Sequence, residues 1–159
     1  MRSDTIVLDG ETYNILEHAN ILSKGGSTFL PASHLDNGLA HIERLANSPE
    51  AQSQNCETFA NMATEILSDL NYAHPFREGN GRTQRAFMEQ LAKRTGHDLD
   101  FEGITAARNN AASIESHGGD TVKLAAIVSE SLKPEEVEAR LQAVEQLEGL
   151  GVDRQTICI

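Results

Sequence analysis

Twelve consecutive residues, His74–Arg85, combine a histidine, a carboxylate, arginines and a Gly-Asn-Gly turn. Apolar residues recur at helical spacing on both sides of this polar stretch: Phe59, Met62, Ala63, Ile66, Leu67 and Leu70 before it, and Ala86, Phe87 and Leu91 after it. The pattern predicts a loop held between two helices. Because the first N–H groups of a helix have no partner inside it, such a loop is suited to hold an anion.

The loop carries the groups that a polyphosphate requires. Gly79-Asn80-Gly81 tolerates the positive φ angles of a sharp turn, whose backbone N–H groups form an anion-binding concavity. Arg82 and Arg85 are three residues apart, so both guanidinium groups share one face of the helix that follows. Two guanidinium groups on one face match a polyphosphate ligand better than they match a ligand with a single carboxylate.

Two further side chains add chemistry to this anion site. Glu78 is suited to bind a divalent cation together with phosphate oxygens, as magnesium is usually bound. His74 is placed to take a proton from an incoming hydroxyl. Each feature alone is more typical of a turn or a solvated helix face, but their combination favours attack of a hydroxyl on a nucleotide phosphate.

The stretch His74–Arg85 also resembles the motif H-P-F-x-[D/E]-G-N-G-R-x-x-R of the Fic family, with every fixed position matched. The resemblance implies a mainly α fold, the Fic fold, which is a helical bundle with a small β-hairpin flap before the motif. It also implies a protein adenylyltransferase, which transfers AMP from ATP to a Ser, Thr or Tyr hydroxyl of a target protein.

The resemblance assigns a role to each motif residue. His74 would be the general base, Phe76 a buried anchor of the loop, and Glu78 the ligand of a Mg²⁺ ion that bridges the α- and β-phosphates. Arg82 would hold the β-phosphate region and Arg85 the γ-phosphate. The anion hole would be formed by the backbone of Gly79, Asn80 and Gly81 and by the Asn80 side chain.

A hairpin is expected at about residues 20–30, where two glycines separate short β-prone pieces. On the residues alone, a surface loop is an equally good interpretation. Ser23–Phe29 resembles the Fic flap, which implies that it docks a segment of the target by strand addition. Lys24 and Gly25 would then also contact the nucleotide.

The rest of the chain predicts further helices. One begins at Ser33–Asp36, a second has its N-cap at Ser48, and the helix after the motif starts at Arg82 and stops at Thr95-Gly96. Further helical segments are expected at three places: a stripe from Phe101 to Ile114, a helix capped by Asp120, and an amphipathic helix from Pro134 to Leu147.

Length and charge limit the possible functions. The 159 residues predict a single domain. The resemblance implies a Fic domain over residues 1–132, followed by a C-terminal amphipathic helix and tail over residues 133–159. The net charge of −11 opposes nucleic-acid binding. No apolar run is long enough for a membrane segment. We expect a cytoplasmic protein or an effector secreted into a host cell.

One departure from the pattern of many Fic proteins concerns regulation. Many Fic proteins inhibit themselves through an [S/T]-x-x-x-E-[G/N] helix, a pattern that this sequence lacks. The resemblance therefore implies a small separate antitoxin chain that supplies the inhibitory Glu, or a region outside this chain.

Two alternatives to AMP transfer are open. The first is transfer of another phosphate-containing group, which intact Gly79 and Gly81 disfavour. The second is a non-catalytic module that binds through its flap.

Overall fold

A computed structural model describes residues 5–8, 11–14, 23–24, 27–133, 142 and 146 of the chain. Within these ranges four short strands precede five α-helices. The strands are β1 (Thr5–Leu8), β2 (Glu11–Asn14), β3 (Ser23–Lys24) and β4 (Ser27–Thr28). The helices are α1 (Leu35–Ala46), α2 (Cys56–Ala73), α3 (Asn80–Arg94), α4 (Ala106–His117) and α5 (Val122–Ser131). The prediction of a mainly α fold with a hairpin before the motif is confirmed.

The strands form two separate antiparallel hairpins. Thr5 pairs with Asn14 at the open end of the β1–β2 hairpin. In the flap, Ser23 pairs with Thr28 and Lys24 pairs with Ser27, so the hairpin predicted at residues 20–30 is present. The predicted nucleotide contacts of Lys24 and Gly25 lie outside the described part of the chain. The structure describes the backbone of Lys24 without its side chain, and it does not describe Gly25.

Helix α2 is the centre of the fold and packs against the other four helices. Its buried face includes Phe59 and Ile66, both fully buried. Met88 of α3 and three residues of α5 complete the deepest layer: Leu124, Ile127 and Val128. Each such side chain contributes about 1.5–3 kcal/mol when it is removed from water. This core fixes the C-terminal end of α2, where the motif begins.

The start of α2 differs from the prediction. Ser48 was expected to cap this helix, but its hydroxyl accepts a bond from Ala51 N at 3.2 Å within a turn. Asn55 is the actual N-cap, and its side chain accepts from Thr58 N at 2.9 Å. An Asn side-chain oxygen that accepts from the N–H three residues later satisfies an otherwise unpaired donor, so the helix begins there.

The predicted stripe from Phe101 to Ile114 is also only partly right. Thr105 accepts a bond from Arg108 N, so α4 begins at Ala106, and Phe101 reaches the core from the preceding turn. Ile114 is 64% exposed, while Ala112 and Ser116 are buried. The predicted stripe began too early because Phe101 and Ile104, which precede the cap Thr105, continue the helical spacing of the apolar residues in α4.

Two other predicted boundaries are close to the structure. Gly96 follows α3 with φ 83°. Asp120 lies one residue before the N-cap of α5, Thr121, and its carboxylate accepts from Val122 N at 3.0 Å. After α5, Lys133 N donates to Asp98 O at 3.0 Å. The predicted helix 134–147 and the tail lie outside the described residues, apart from helical Gln142 and Gln146.

An ion pair joins α1 to α2 on the surface. His41 Nε2 lies 3.3 Å from Asp69 Oδ2. Partial burial raises the pKa of Asp69 above its ordinary value, and His41, when protonated, opposes that shift. Burial is the larger of the two effects, so the ionised carboxylate is less favoured here than in water.

Candidate active site

His74 lies immediately after α2 and has a left-handed backbone, with φ 42° and ψ 56°. Its N–H donates to Leu70 O at 3.1 Å, which closes the helix. Pro75 disfavours the right-handed helical region for the residue before it. The prediction that His74 sits just beyond the helix is confirmed. A left-handed conformation costs a non-glycine residue roughly 1–2 kcal/mol, so the surrounding structure must hold it.

An aromatic side chain from the flap contacts the His74 imidazole. The ring of Phe29 stacks on it with a centroid separation of 3.8 Å and an interplanar angle of 13°. Phe29 is only 7% exposed. The residue that follows β4 therefore contacts the predicted general base directly.

The motif loop is closed by Asn80. Its carboxamide oxygen accepts from Phe76 N at 3.0 Å, and its amide nitrogen donates to Phe76 O. The side chain is 5% exposed. Because both ends of the carboxamide are engaged, the backbone of this segment is left as the main candidate for anion binding.

The predicted burial of Phe76 is wrong, because its side chain is 48% exposed. The ring lies in an apolar groove of about 730 Å³ between α1 and α3, which Leu39, Pro75 and Phe87 also line. The backbone of Phe76, bound by Asn80, anchors the loop instead.

Helix α3 begins at Asn80, two residues earlier than predicted, with Gly79 as its N-cap at φ 82°. Gly79 O accepts from Arg82 N and Thr83 N, both at 3.0 Å. The N–H groups of Asn80 and Gly81 precede these bonds and have no acceptor within the helix. Together with the helix dipole they form a site suited to a phosphate.

The two predicted phosphate-binding arginines lie beside the glycines. A methyl group built on Gly79 would be 3.6 Å from Arg82 Nη2, and one built on Gly81 would be 3.8 Å from Arg85 Nη1. Over the described ranges, neither arginine forms an ion pair with a carboxylate. Both guanidinium groups are therefore available to an anion at the start of α3.

A cavity of about 480 Å³ brings most of these groups together. It is bounded by the flap, the end of α2, the motif loop and α4. Its lining residues are Ser27, Phe29, Asn71, His74, Arg77, Glu78, Gly79, Asn80, Gly81, Gln84, Asn109, Asn110, Ser113, Ile114 and His117. The predicted residues His74, Glu78, Gly79, Asn80 and Gly81 thus share one cavity, and Arg82 and Arg85 are not part of its wall.

Several cavity residues were missed by sequence reasoning. The polar break at Arg108-Asn109-Asn110 fits either a solvated face, which is more typical, or the adenine side of a pocket, and both asparagines line the cavity. Asn71 donates to Ser113 O at 2.8 Å and so fixes α4 against α2. His117 lies outside the predicted site residues, and it also lines the cavity. The one local signal for Asn109 and Asn110 was that they interrupt an apolar helical stripe with polar groups.

Glu78 is the predicted metal ligand. It is exposed, and it lines the cavity directly before the anion-binding turn. The part of the chain that the structure describes has no group of three or more His, Cys, Asp or Glu residues able to bind a metal. One carboxylate beside a phosphate site fits Mg²⁺, which commonly takes one or two carboxylates and completes its shell with phosphates and water.

The fold and the site define a helical domain in which an imidazole and the N-terminus of a helix line the same cavity. The chain belongs to the Fic/DOC family, whose family model matches residues 5–92. The resemblance drawn from His74–Arg85 is therefore confirmed.

Curated relatives of the chain are named as protein adenylyltransferases. A protein adenylyltransferase of Bartonella henselae is 37% identical over 113 residues, which cover 70% of this chain and 21% of the relative. A probable protein adenylyltransferase of Sinorhizobium fredii is 40% identical over 84 residues, covering 53% of this chain and 44% of the relative. The chain thus spans less than half the length of these relatives.

Solved structures agree with the fold. BepC of Bartonella tribocorum, a VirB-translocated effector with bound AMPPNP, has a TM-score of 0.68 at 28% identity, covering 84% of this chain and 64% of that one. The N-terminal Fic domain of a Bartonella quintana protein with bound ADP also has a TM-score of 0.68, at 30% identity, covering 84% and 63%. Among the residues that the structure describes, no helix has the length and apolar character needed to cross a membrane.

Proposed function

We propose that the chain is a protein adenylyltransferase that moves AMP from ATP to a Ser, Thr or Tyr hydroxyl of a target protein. The observation that carries the proposal is the shared cavity of His74 and the N-terminus of α3. The names of the curated relatives and the nucleotides bound to the Bartonella structures support it.

The triphosphate would be bound at the start of α3. The N–H groups of Asn80 and Gly81 would donate to its oxygens, and Arg82 and Arg85 would neutralise the β- and γ-phosphates. Oriented donors and guanidinium groups stabilise the charge that develops as a phosphoryl group is transferred. Binding in this direction would present the α-phosphate to His74.

His74 would act as the general base. It takes the proton of the target hydroxyl as the hydroxyl oxygen attacks the α-phosphorus. A new P–O bond to the target forms, the bond from the α-phosphorus to the bridging oxygen breaks, and pyrophosphate leaves with the electron pair. A positioned base contributes about 10²–10⁴ in rate.

Glu78 would hold Mg²⁺ at the edge of the cavity. When bound, the ion would neutralise charge on the phosphates. Since the Glu78 side chain is exposed, phosphate oxygens and water would supply the remaining ligands.

The flap would dock the target. Strand β4 leads directly into Phe29, which contacts His74, so a segment paired with the flap would pass close to the base. Strand addition to a short hairpin provides main-chain hydrogen bonds without requiring a fixed target sequence. Lys24 and Gly25 would contact the nucleotide from this side.

Regulation and location belong to the same proposal. A separate antitoxin chain would supply a Glu to Arg85, which lacks a carboxylate partner in the described ranges. The effector relatives favour an action inside a host cell, although a cytoplasmic role within the producing cell is compatible with the same site.

Two ATP samples test the activity, one labelled at the α-phosphate and one at the γ-phosphate, each incubated with the chain, Mg²⁺ and a cell lysate. AMP transfer predicts that protein gains the α-label alone. Gain of the γ-label alone would show phosphate transfer. Absence of ATP binding by calorimetry would support a non-catalytic module and contradict the proposal.

A further inference from the structure

His117, the last residue of α4, is bonded to the flap. Its Nε2 lies 2.8 Å from the carbonyl oxygen of Thr28 in β4. A carbonyl oxygen only accepts hydrogen bonds, so Nε2 carries the hydrogen and the tautomer of a neutral His117 is fixed. Its Nδ1 is buried and has no hydrogen-bond partner among the described residues.

One aromatic ring connects His117 to His74. Phe29 stacks on the His74 imidazole at 3.8 Å, and it meets the His117 imidazole edge-on at 5.3 Å and 79°. Tyr72 lies on another side of His117 with its ring centroid 5.6 Å away. Aromatic pairs in these geometries are stabilising beyond their burial, by about 0.5–1.5 kcal/mol each.

The two sides of this contact differ in rigidity. Helix α4 is held against α2 by the bond from Asn71 to Ser113 O at 2.8 Å, and Ser116 is buried in the same interface. Among its described residues the flap has two residue pairs, and an isolated two-stranded hairpin is marginally stable in water. The position of β4 must therefore come from outside the hairpin, through His117 and the bond from Leu30 N to Tyr72 O at 2.9 Å.

We infer that His117 is a positioning residue for the general base, acting through Phe29; this rests on the proposed function of His74. The bond to Thr28 O fixes the end of β4, the fixed strand holds Phe29 over the imidazole, and the stack orients the ring. The His74 backbone is already in a costly left-handed conformation, so its ring orientation depends on such support.

Two variants separate the hydrogen bond from the ring. His117→Phe keeps an aromatic edge toward Phe29 and loses the donor to Thr28 O, whereas His117→Gln keeps a donor and loses the ring. In NMR spectra, protons stacked on a phenyl face shift upfield, and the His74 ring signals are assigned by their absence from His74→Ala. We expect His117→Phe to lose the upfield shift of His74 and His117→Gln to retain part of it.

The kinetic arm measures AMP transfer in the lysate assay. We expect His117→Phe to lower the apparent kcat by about tenfold, with the KM for ATP nearly unchanged, because a displaced base slows the chemical step more than nucleotide binding. His117→Gln should recover part of the loss. A purely structural role would instead lower the melting temperature and leave the His74 signals of the folded protein unchanged.

The inference is overturned if folded His117→Phe keeps both the His74 ring shifts and the wild-type kcat. If this variant does not fold, Phe29→Leu gives the same test, since it retains apolar packing but removes the stack, and a wild-type kcat in Phe29→Leu would overturn the inference. The NMR arm requires no catalysis. Failure of the wild type to transfer AMP would therefore contradict the proposed function alone.

Discussion

The carboxamide of Asn80 closes the motif loop, and its removal should have a measurable cost. Asn80→Ala deletes one bond to Phe76 N at 3.0 Å and a second to Phe76 O. Each hydrogen bond contributes about 1 kcal/mol net, which gives a loss of about 2 kcal/mol. The larger penalty for orphaned buried groups does not apply in full, because Phe76 is half exposed and the two bonds are only partly buried.

Urea denaturation followed by circular dichroism measures this loss as a change in the free energy of unfolding. Thr83→Ala is the matched control, since it removes one exposed bond of 3.2 Å to Gly79 O in the same turn and should change stability by less than about 0.5 kcal/mol. Calorimetry should also show weaker ATP binding for Asn80→Ala. If Asn80→Ala unfolds with the control's free energy, the side chain does not hold the loop.

Three further predictions concern the backbone and charge around the site. Gly79→Ala should destabilise the protein by about 1 kcal/mol because φ is 82° at Gly79, whereas Gly81→Ala, within the helix, should stabilise it by about 0.5 kcal/mol. Thermal melts in which Gly79→Ala is the more stable variant would refute the assignment of the turn. His74→Gly should be more stable than His74→Ala by about 1 kcal/mol, since both lose the stack but only glycine adopts the left-handed backbone freely; equal urea midpoints would contradict the strain. Burial raises the pKa of Asp69, so the stability that its proton provides is present at low pH and is lost as the pH rises through the raised pKa. Asp69→Asn should therefore stabilise the protein at neutral pH, and this gain should disappear below the ordinary carboxyl range. A loss of stability in Asp69→Asn at neutral pH would refute this reasoning.

Local rules predicted the parts of the site that depend on neighbouring residues. Pro75 excludes His74 from the right-handed helix, and Gly96 ends α3, so both boundaries could be predicted from two or three letters of sequence. The helix N-terminus at the Gly-Asn-Gly turn was off by only two residues. These features are decided by backbone sterics and capping within one turn.

Features that depend on distant residues could not be predicted in the same way. The bond between His117 and Thr28 joins residues 89 positions apart, and no periodicity relates them. The exposure of Phe76 depends on whether another element covers the groove beside α1. The caps at Asn55 and Thr105 were missed because Ser48 and the apolar residues before Thr105 offered competing local signals.

In the proposed mechanism, His74 acts on a nucleotide phosphate bound at the start of α3. The most direct test of this mechanism compares wild type and His74→Ala in two measurements, the rate of AMP transfer from α-labelled ATP and the Kd for ATP with Mg²⁺. We expect transfer to fall by about 10²–10⁴-fold while the Kd stays within about twofold. Transfer at the wild-type rate by His74→Ala would contradict the mechanism.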